Sequence, residues 1–465
     1  MKEVEPPKLS DEDRWYAEHM AILISTVKWA FLGTIAGVCV GAGTRAFLWS
    51  LSASTKLVAH LDAFGVRSYL FLPLALPACV WLIRNFAPAA KGHGTEAVIA
   101  AVHEQAGRVE WQVAPIKLLA TLLTLAFGGS VGKEGPCAQI GASITSLFAD
   151  LLRLNDRDRR RLVICGIGAG FAAVFGTPIS GALFGVEVLY LGRIEYPVLF
   201  PCIVAGIVAH LVCGARPYIP QIPGAFVGMH PAEDVPLALV FGAAFGLAAL
   251  LLIEAMRLLE RSMRRFERHP YLVAAGGGIV LAVLYSVFGT QYAGLGVGTI
   301  EAAMSGAWRV VAYAAIVKIV ATAVTLETGG SGGIVTPLFF IGATSGAALA
   351  HALHLPEGLF AAYGLIGVLA AAANTPIAAT VMGMEMLPGP IGVYAALCAC
   401  VAFLVVGHRS VYASQKIGMS KSAGLEVTLD VSVGELDRAH IRVRKDSLAQ
   451  RILHVRIKPR SRRSE

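Results

Sequence analysis

GGSVGKEGPCAQIGA, residues 128–142, is a glycine-framed stretch that interrupts an apolar run and carries a Lys-Glu pair at its centre. The same frame returns as GGSGGIVTPLFFIGA, residues 329–343, without a charged residue. Extended upstream, the two copies align without gaps over 116–142 and 317–343, at an offset of 201 residues (317 − 116). Lysine, threonine, glycine and proline recur at matching positions, so the chain contains an internal repeat.

A second pair of blocks follows in the same order. TPISGALFGVEVL (177–189) matches TPIAATVMGMEML (375–387), and the match includes Glu187 with Glu385. Chance similarity between membrane helices would explain shared small residues, which favour close helix packing. It does not explain shared Lys, Thr, Pro and Glu at fixed spacing. Internal repeats in a membrane protein indicate a transporter architecture with its substrate site between the halves.

The composition indicates a membrane protein. Of 465 residues, 56 % are hydrophobic and 15 % charged, and the mean hydropathy is +0.65; soluble domains carry about 25 % charged residues. Apolar segments approaching or reaching the length of about 20 residues that crosses a bilayer recur, as in 24–43, 236–255 and 393–407. Lipid offers no hydrogen-bond partner to a backbone, so these segments must be helices. We expect an all-α, polytopic membrane protein.

The distribution of polar segments predicts five parts of the chain. These are a cytoplasmic N-terminal arm (1–20), a first membrane repeat (21–213), an inter-repeat loop (214–234), a second membrane repeat (235–415) and a short basic cytoplasmic tail (416–465). The arm is polar and lacks the small-residue cleavage pattern of a signal peptide.

The net charge of +8 is concentrated in three short basic stretches, at 153–161, 257–269 and 456–463. The positive-inside rule makes them cytoplasmic. A basic tail could also bind nucleic acid, but on a chain of this hydropathy membrane topology is the better explanation, and we expect no nucleic-acid partner.

Motifs for other functional classes are missing from the sequence. The eight cysteines lie almost entirely in apolar segments without C-x-x-C spacing, which is typical of buried hydrophobic positions. HEQAG (103–107) fails the H-E-x-x-H zinc pattern, and there is no G-x-S-x-G or P-loop. We expect no enzyme activity, no metal site and no cofactor. The segment after residue 408 is too short for a large soluble sensor module.

The glycine blocks predict two helix starts within the membrane. Glycine costs about 1 kcal/mol inside a helix and proline about 3 kcal/mol, and irregular backbone at membrane depth is tolerated only where it is buried in protein or lines a cavity. A helix N-terminus carries roughly +0.5 of an elementary charge and presents free N–H donors to an anion. Two such termini facing each other predict a site for a small dehydrated anion, with the motif residues Gly132, Lys133, Gly135, Pro136, Gly332, Gly333 and Pro337.

Glu134 lies where the anion would bind, at the start of its own helix. Its carboxylate, when ionised, could occupy the amides and exclude the substrate, and would free them when protonated or moved away. The second copy has Ile334 and Val335 at the corresponding positions. The alternative is a simple capping carboxylate in the first turn, but an ionisable residue within a span is a functional candidate.

Three motifs resemble those of the CLC family of chloride channels and chloride/proton exchangers. GKEGP (132–136) resembles its GREGP motif, GGIVTP (332–337) its GGIFxP motif, and KGHGTEAV (91–98) its GSGIP region. The match covers roughly residues 25–415. The resemblance implies an inverted repeat of partly crossing helices and a homodimer with one anion pathway per subunit, in a multi-pass protein of a prokaryotic inner membrane.

The resemblance also implies roles for individual residues. Glu134 falls on the family's external gating glutamate, and Ile334 and Val335 fall on positions whose amides bind the central anion. Tyr412, in HRSVYASQKIG, is the best candidate for the tyrosine whose hydroxyl closes the inner end.

His93 occupies the place of the family's inner serine. An imidazole can donate a hydrogen bond, so His93 could contact the anion directly. It could equally face the cytoplasmic vestibule, with the amides of Gly92 and Gly94 binding the anion.

Val188 occupies the place where many exchangers carry an internal glutamate, one residue after Glu187. Because Glu187 has its repeat mate Glu385, we expect a structural role for both. The resemblance therefore leaves a channel and an anion/proton exchanger open. We expect transport of chloride, gated by Glu134. GGIVTPLFFIGA also resembles the fluoride-exporting branch, which makes a fluoride/proton antiporter the alternative.

Overall fold

The computed structural model describes residues 11–63, 65–214, 231–306, 311–387, 391–436, 440–445 and 447–453. In chain order the helices are α1 (Asp11–Ala63), α2 (Leu72–Phe86), α3 (Thr95–Glu104), α4 (Val113–Ala126), α5 (Glu134–Leu151), α6 (Asp156–Phe175), α7 (Pro178–Glu187), α8 (Tyr196–Cys213), α9 (Pro231–Met263), α10 (Pro270–Phe288), α11 (Val297–Met304), α12 (Ala314–Glu327), α13 (Val335–Ala352), α14 (Glu357–Ala373), α15 (Pro376–Met386), α16 (Ile391–Val405) and α17 (Leu448–Leu453). The strands are β1 (Tyr190–Leu191), β2 (Lys416–Ile417), β3 (Leu425–Val427) and β4 (Ile441–Val443).

The helices confirm the expected polytopic all-α architecture. Within the described ranges, six helical segments are long and apolar enough to cross a membrane: Arg14–Leu61, Ser68–Phe86, Tyr196–Cys213, Val235–Phe266, Pro270–Phe288 and Val335–Ala352. In the same ranges, three shorter apolar helical segments have 10–17 residues: Val113–Ala126, Glu357–Ala373 and Tyr394–Val405. With 1.5 Å rise per residue, α1 is about 80 Å long and extends beyond a hydrocarbon core of about 30 Å.

The ends of the predicted parts differ from the sequence-based boundaries. Residues 11–20, expected in the N-terminal arm, form the first turns of α1. The inter-repeat loop expected at 214–234 lies mostly outside the described residues, and α9 begins at Pro231. The core is built from the equivalent helix pairs α5–α6 and α13–α14, and α14 is buried at every position from Gly358 to Ala373.

The two repeats meet at an antiparallel backbone bridge between Gly132 and Gly333. Each glycine N–H donates to the carbonyl oxygen of the other, at 2.5 Å and 2.6 Å. These residues are equivalent, since they are 201 positions apart (333 − 132). The bridge pairs equivalent residues of the two repeats, and the two backbone segments run in opposite directions. A pseudo-two-fold axis between the glycines relates them in this way, which agrees with the inverted repeat.

Buried hydroxyls extend this symmetry away from the axis. The Ser130 N–H donates to Thr325 Oγ1 at 3.1 Å, and the equivalent Ser331 N–H donates to Thr124 Oγ1 at 3.0 Å. All four residues are fully buried. A buried backbone N–H needs a partner, so each repeat supplies the partner that the other repeat requires.

A second reciprocal contact joins the repeats at Glu187 and Glu385. Each carboxylate accepts two backbone N–H groups at the start of the short helix in the opposite repeat, which satisfies donors that a helix start leaves unpaired. The bonds run from Ile377 (3.1 Å) and Ala378 (2.7 Å) to Glu187, and from Ile179 (3.0 Å) and Ser180 (2.8 Å) to Glu385. This geometry agrees with the structural role expected for both glutamates.

The structure also shows a third repeated block that the sequence comparison missed. GHGT (92–95) precedes α3 and GLGV (294–297) precedes α11, at an offset of 202 residues (294 − 92). Each block is anchored by the buried ammonium of the repeat-matched lysines Lys117 and Lys318. The lysines donate to carbonyl oxygens of Ala90 (3.1 Å) and Gly92 (2.5 Å), and of Tyr292 (3.0 Å) and Gly294 (2.8 Å), respectively.

The segment after α16 returns to the membrane core before it forms the tail. Gln415 is fully buried and donates to the carbonyl oxygens of Val188 (2.9 Å) and Ala373 (3.0 Å). Directly after it, β2 pairs in parallel with β1. Further on, β3 and β4 form an antiparallel pair. The described part of the tail is therefore folded and attached to the membrane domain.

Candidate anion pathway

The starts of α5 and α13 face each other where the two repeats meet. A Cβ atom on Gly333 would lie 2.7 Å from the Gly135 amide nitrogen. A Cβ atom on Gly135 would in turn lie 3.0 Å from the Gly333 Cα atom and collide with the His93 carbonyl oxygen. Glycine at these positions lets the segments around residues 93, 135 and 333 touch backbone to backbone. The predicted motif residues of all three blocks are thus brought together.

Glu134 is fully buried, and its carboxylate reaches across to the opposite repeat. Its Oε1 atom accepts a hydrogen bond from the Thr336 hydroxyl, and its Oε2 atom accepts the Thr336 N–H at 3.3 Å. Thr336 lies in the first turn of α13, next to Ile334 and Val335. The carboxylate thus occupies an amide that an anion could use, at the start of α13 rather than of its own helix. The carboxylate is therefore not a capping group that binds the first turn of its own helix, α5.

The second part of the site is formed by His93, Thr95 and Tyr412. The rings of His93 and Tyr412 lie 5.5 Å apart, and the Tyr412 hydroxyl lies beside that of Thr95. Thr95 and Tyr412 are each 1 % exposed. The hydroxyls of Tyr412 and Thr95 lie close enough to interact with each other, and among the described residues neither hydroxyl nor His93 Nδ1 forms a hydrogen bond of normal geometry. A buried donor without a partner costs about 1–3 kcal/mol, so the two hydroxyls are suited to an anion that accepts their hydrogens. His93 Nδ1 can donate as well in the tautomer that carries its proton there.

Several contacts hold this inner group of side chains in place. Glu96, one residue after Thr95, accepts from the Ser414 N–H at 2.9 Å and from its hydroxyl at 2.7 Å. The Tyr412 N–H donates to Ser410 Oγ at 3.0 Å. The start of α3 and the segment carrying Tyr412 are therefore fixed to each other. His93 lies beside Tyr412 in this group.

Gly92 and Gly94 flank His93 with positive φ angles of 74° and 88°. The Gly92 carbonyl is bound by Lys117, which directs that oxygen away from an approaching anion. Lys133 lines a separate cavity of about 510 Å³, whose other walls are mostly apolar and include Leu51, Val174 and Leu295. An ammonium group in such a wall attracts anions.

The two halves carry different chemistry at equivalent positions. His93 and Thr95 have the apolar mates Leu295 and Val297, as Glu134 has Val335. Thr95 and Thr336 are functional candidates that the sequence reasoning missed. Comparison of Thr336 with its mate Gly135 would have singled it out.

Val188 is buried at the place where an internal glutamate was considered. Its carbonyl oxygen accepts the Gln415 amide. Glu187, beside it, is engaged with α15. A proton route past residue 188 would therefore lack an ionisable side chain at that position.

An inverted repeat of partly crossing helices, with two helix starts and unpaired donors around a buried carboxylate, defines a membrane transport protein for small anions. The family described as "Voltage gated chloride channel" matches residues 71–407. The chain belongs to this family of transporters and channels, and is an integral multi-pass membrane protein rather than an enzyme.

The relatives share nearly the whole chain. A "Chloride/fluoride channel protein" of Pseudomonas syringae pv. tomato is 35 % identical, over 87 % of this chain and 90 % of its own length. An "H(+)/Cl(-) exchange transporter ClcA" of Citrobacter koseri is 27 % identical, over 79 % and 81 %. The crystal structure of a CLC-type fluoride/proton antiporter has a TM-score of 0.78 at 27 % identity, and the alignment covers 84 % of this chain and 98 % of that one. These bacterial relatives agree with a prokaryotic inner membrane.

Proposed function

We propose that the protein exchanges a halide for protons, with Glu134 as both the gate and the group that takes up the proton. The observation that carries the proposal is the cross-repeat contact of the Glu134 carboxylate with Thr336. An ionised carboxylate there competes with an anion for the same amide. Protonation weakens that contact, because a neutral carboxyl group is a poorer hydrogen-bond acceptor.

The proposed anion path runs from the Lys133 cavity, past the amides of Ile334 and Val335, to His93 and Tyr412. Backbone N–H groups bind an anion without the full positive charge that would retain it. The Gly92 and Gly94 amides supply further donors near the inner end.

Fluoride is the halide that this site favours. Fluoride is the smaller ion and loses more hydration than chloride, so its site must return stronger hydrogen bonds. Thr95 and Tyr412 supply two hydroxyl donors on one side of the path, and His93 supplies a third in the tautomer that carries a proton on Nδ1. The similarity to a protein named as a chloride/fluoride channel and to a fluoride/proton antiporter supports this choice. Chloride is the second candidate, supported by the exchangers named for chloride.

The test is anion and proton flux from liposomes that contain the purified protein, with fluoride or chloride as the sole permeant halide. We expect fluoride efflux to drive proton uptake in the wild type. Glu134→Gln should abolish proton movement and make any remaining halide flux independent of pH. Unaltered flux of both ions at every pH in Glu134→Gln would contradict the gate.

We also propose that the protein is a homodimer with one pathway in each subunit. The resemblance to the family supports this. The molar mass of the detergent-solubilised protein by light scattering tests it. A mass near 48.9 kDa, that of one chain, would contradict it.

A further inference from the structure

The aligned blocks 116–142 and 317–343 contain two carboxylates that have no counterpart at the equivalent position of the other block. Glu134 corresponds to Val335 in the other half, and Glu327 corresponds to Ala126. Positions with a mate, such as Glu187 with Glu385, make reciprocal contacts between the repeats. A carboxylate present in one half alone has no such symmetric structural task, which makes Glu327 a candidate for function.

Glu327 is the last residue of α12 and is half-buried. It lines a cavity of about 780 Å³ between the end of α9, α2 and the loop at Lys91. The α9 end belongs to the basic stretch 257–269, which the positive-inside rule places in the cytoplasm. The loop at Lys91 leads to α3, which is tied to the tail through Glu96 and Ser414. The cavity therefore opens on the cytoplasmic side.

Charged groups from several elements share the cavity with Glu327, whereas α10 contributes only the apolar Pro270 and Val273. Lys91 attracts negative charge on its carboxylate, whereas Glu260 and Glu96 repel it. Arg84 on α2, with Arg264 and Glu267 beyond the end of α9, completes the charged lining. Glu260 is already paired with Arg264 at 2.9 Å. Opposing fields of this kind suit a carboxylate that changes its protonation state.

The same segment links this carboxylate to the gate. Glu327 begins the stretch that runs through the Gly333 bridge to Thr336, whose hydroxyl and amide hold Glu134. Lys91, on the cavity wall, lies two residues before His93. The cavity thus adjoins both loops that form the anion path.

We propose that Glu327 is the cytoplasmic proton-exchange residue, which takes the role that Val188 cannot fill. The Glu327 carboxylate accepts one proton from a hydronium ion in the cavity, which leaves a neutral water molecule. The resulting carboxyl group passes this proton inward to the Glu134 carboxylate when Glu134 has left Thr336. Glu327 is then ionised again, and one proton has moved. The proposal rests on the proton coupling proposed above.

The test compares proton and fluoride flux in liposomes for the wild type, Glu327→Gln, Glu327→Asp and Glu301→Gln. Glu301 is a half-buried carboxylate on α11 that does not line the cavity, so its variant is the matched control. We expect Glu327→Gln to lower the number of protons moved per fluoride by about tenfold or more, with fluoride flux retained. Glu327→Asp should restore the ratio, and Glu301→Gln should leave it unchanged.

The outcomes separate this proposal from the proposed function. A wild type that moves no protons would refute exchange itself. A coupled wild type with an unchanged ratio in Glu327→Gln would refute the role of Glu327 alone. Loss of both fluxes in constant proportion, in a variant that elutes like the wild type in size-exclusion chromatography, would also refute it.

Discussion

Thr336 connects the two repeats at the level of one side chain, because its hydroxyl and amide both bind Glu134. Thr336→Val keeps the shape and the amide but removes the hydroxyl. A hydrogen bond to a charged group contributes about 1.5–3 kcal/mol, so the closed position of the carboxylate should be weakened by about that amount. We expect faster halide flux at neutral pH, measured by halide efflux from liposomes.

Thr344→Val is the control for that substitution. Thr344 lies on the same helix, is buried, and donates to the Phe340 carbonyl oxygen at 2.7 Å. Its variant loses one buried hydroxyl away from the gate. Equal flux in both variants would show that the Thr336 hydroxyl does not hold the gate.

The sequence singled out Glu134 because a lone carboxylate in an apolar repeat stands out by its charge. Thr95 and Thr336 did not stand out, since threonine is common in membrane helices and caps its own backbone there. Their significance depends on what their hydroxyls face, which is a property of the tertiary fold. The direction of the Glu134 side chain, across to α13, could not be read from spacing along one helix either.

Among the elements, the blocks that share polar residues could be recognised as repeats from the sequence. The equivalence of the α3 and α11 blocks could not. Those two helices have only ten and eight residues, and their shared positions are glycines. Glycine recurs throughout such a chain and carries little information on its own. The lysines that bind these blocks were aligned by sequence, but their acceptors lie about 25 residues away.

Lys117 and Lys318 allow contributions to stability to be separated from contributions to anion transport. Methionine at either position leaves two buried carbonyl oxygens without a donor, at about 1–3 kcal/mol each. We expect both variants to lower the melting temperature to a similar extent. Only Lys117→Met should also impair halide flux, because its loop carries His93 and Thr95, whereas the Lys318 loop carries Leu295 and Val297.

Thermal unfolding in detergent and flux in liposomes measure the two effects. Equal flux loss in both variants would contradict the division of roles. Restoration by Lys117→Arg would support donation to the loop, since arginine keeps the charge and the donors.

At the scale of the whole molecule, the tail is joined to the membrane domain through Lys421. Its Nζ atom donates to Asn374 Oδ1 and to the Phe403 carbonyl oxygen, each at 2.6 Å. Burial lowers the pKa of Lys421 to about 6. The unfolded chain, with a lysine pKa of about 10.4, therefore binds more protons between these values, and the free energy of unfolding rises with pH in that window.

Lys421→Met should remove this dependence. We expect the melting temperature of the wild type to increase relative to that of the variant between about pH 7 and about pH 9. The Nε2 atom of the neighbouring His408 accepts the Lys421 backbone N–H, and burial and Lys421 both lower the pKa of His408. Above about pH 7 this imidazole is neutral in the folded and in most of the unfolded chain, so Lys421 dominates the difference there. Parallel melting profiles across this range would contradict the assignment.

The backbone bridge between Gly132 and Gly333 limits how such a protein can work. It lies on the symmetry axis and both glycines are buried, so parting the halves would leave four polar groups unpaired. Alternating access by rigid-body rocking of the repeats is therefore disfavoured. We expect the two repeats to stay joined through the transport cycle, while the Glu134 side chain moves between them.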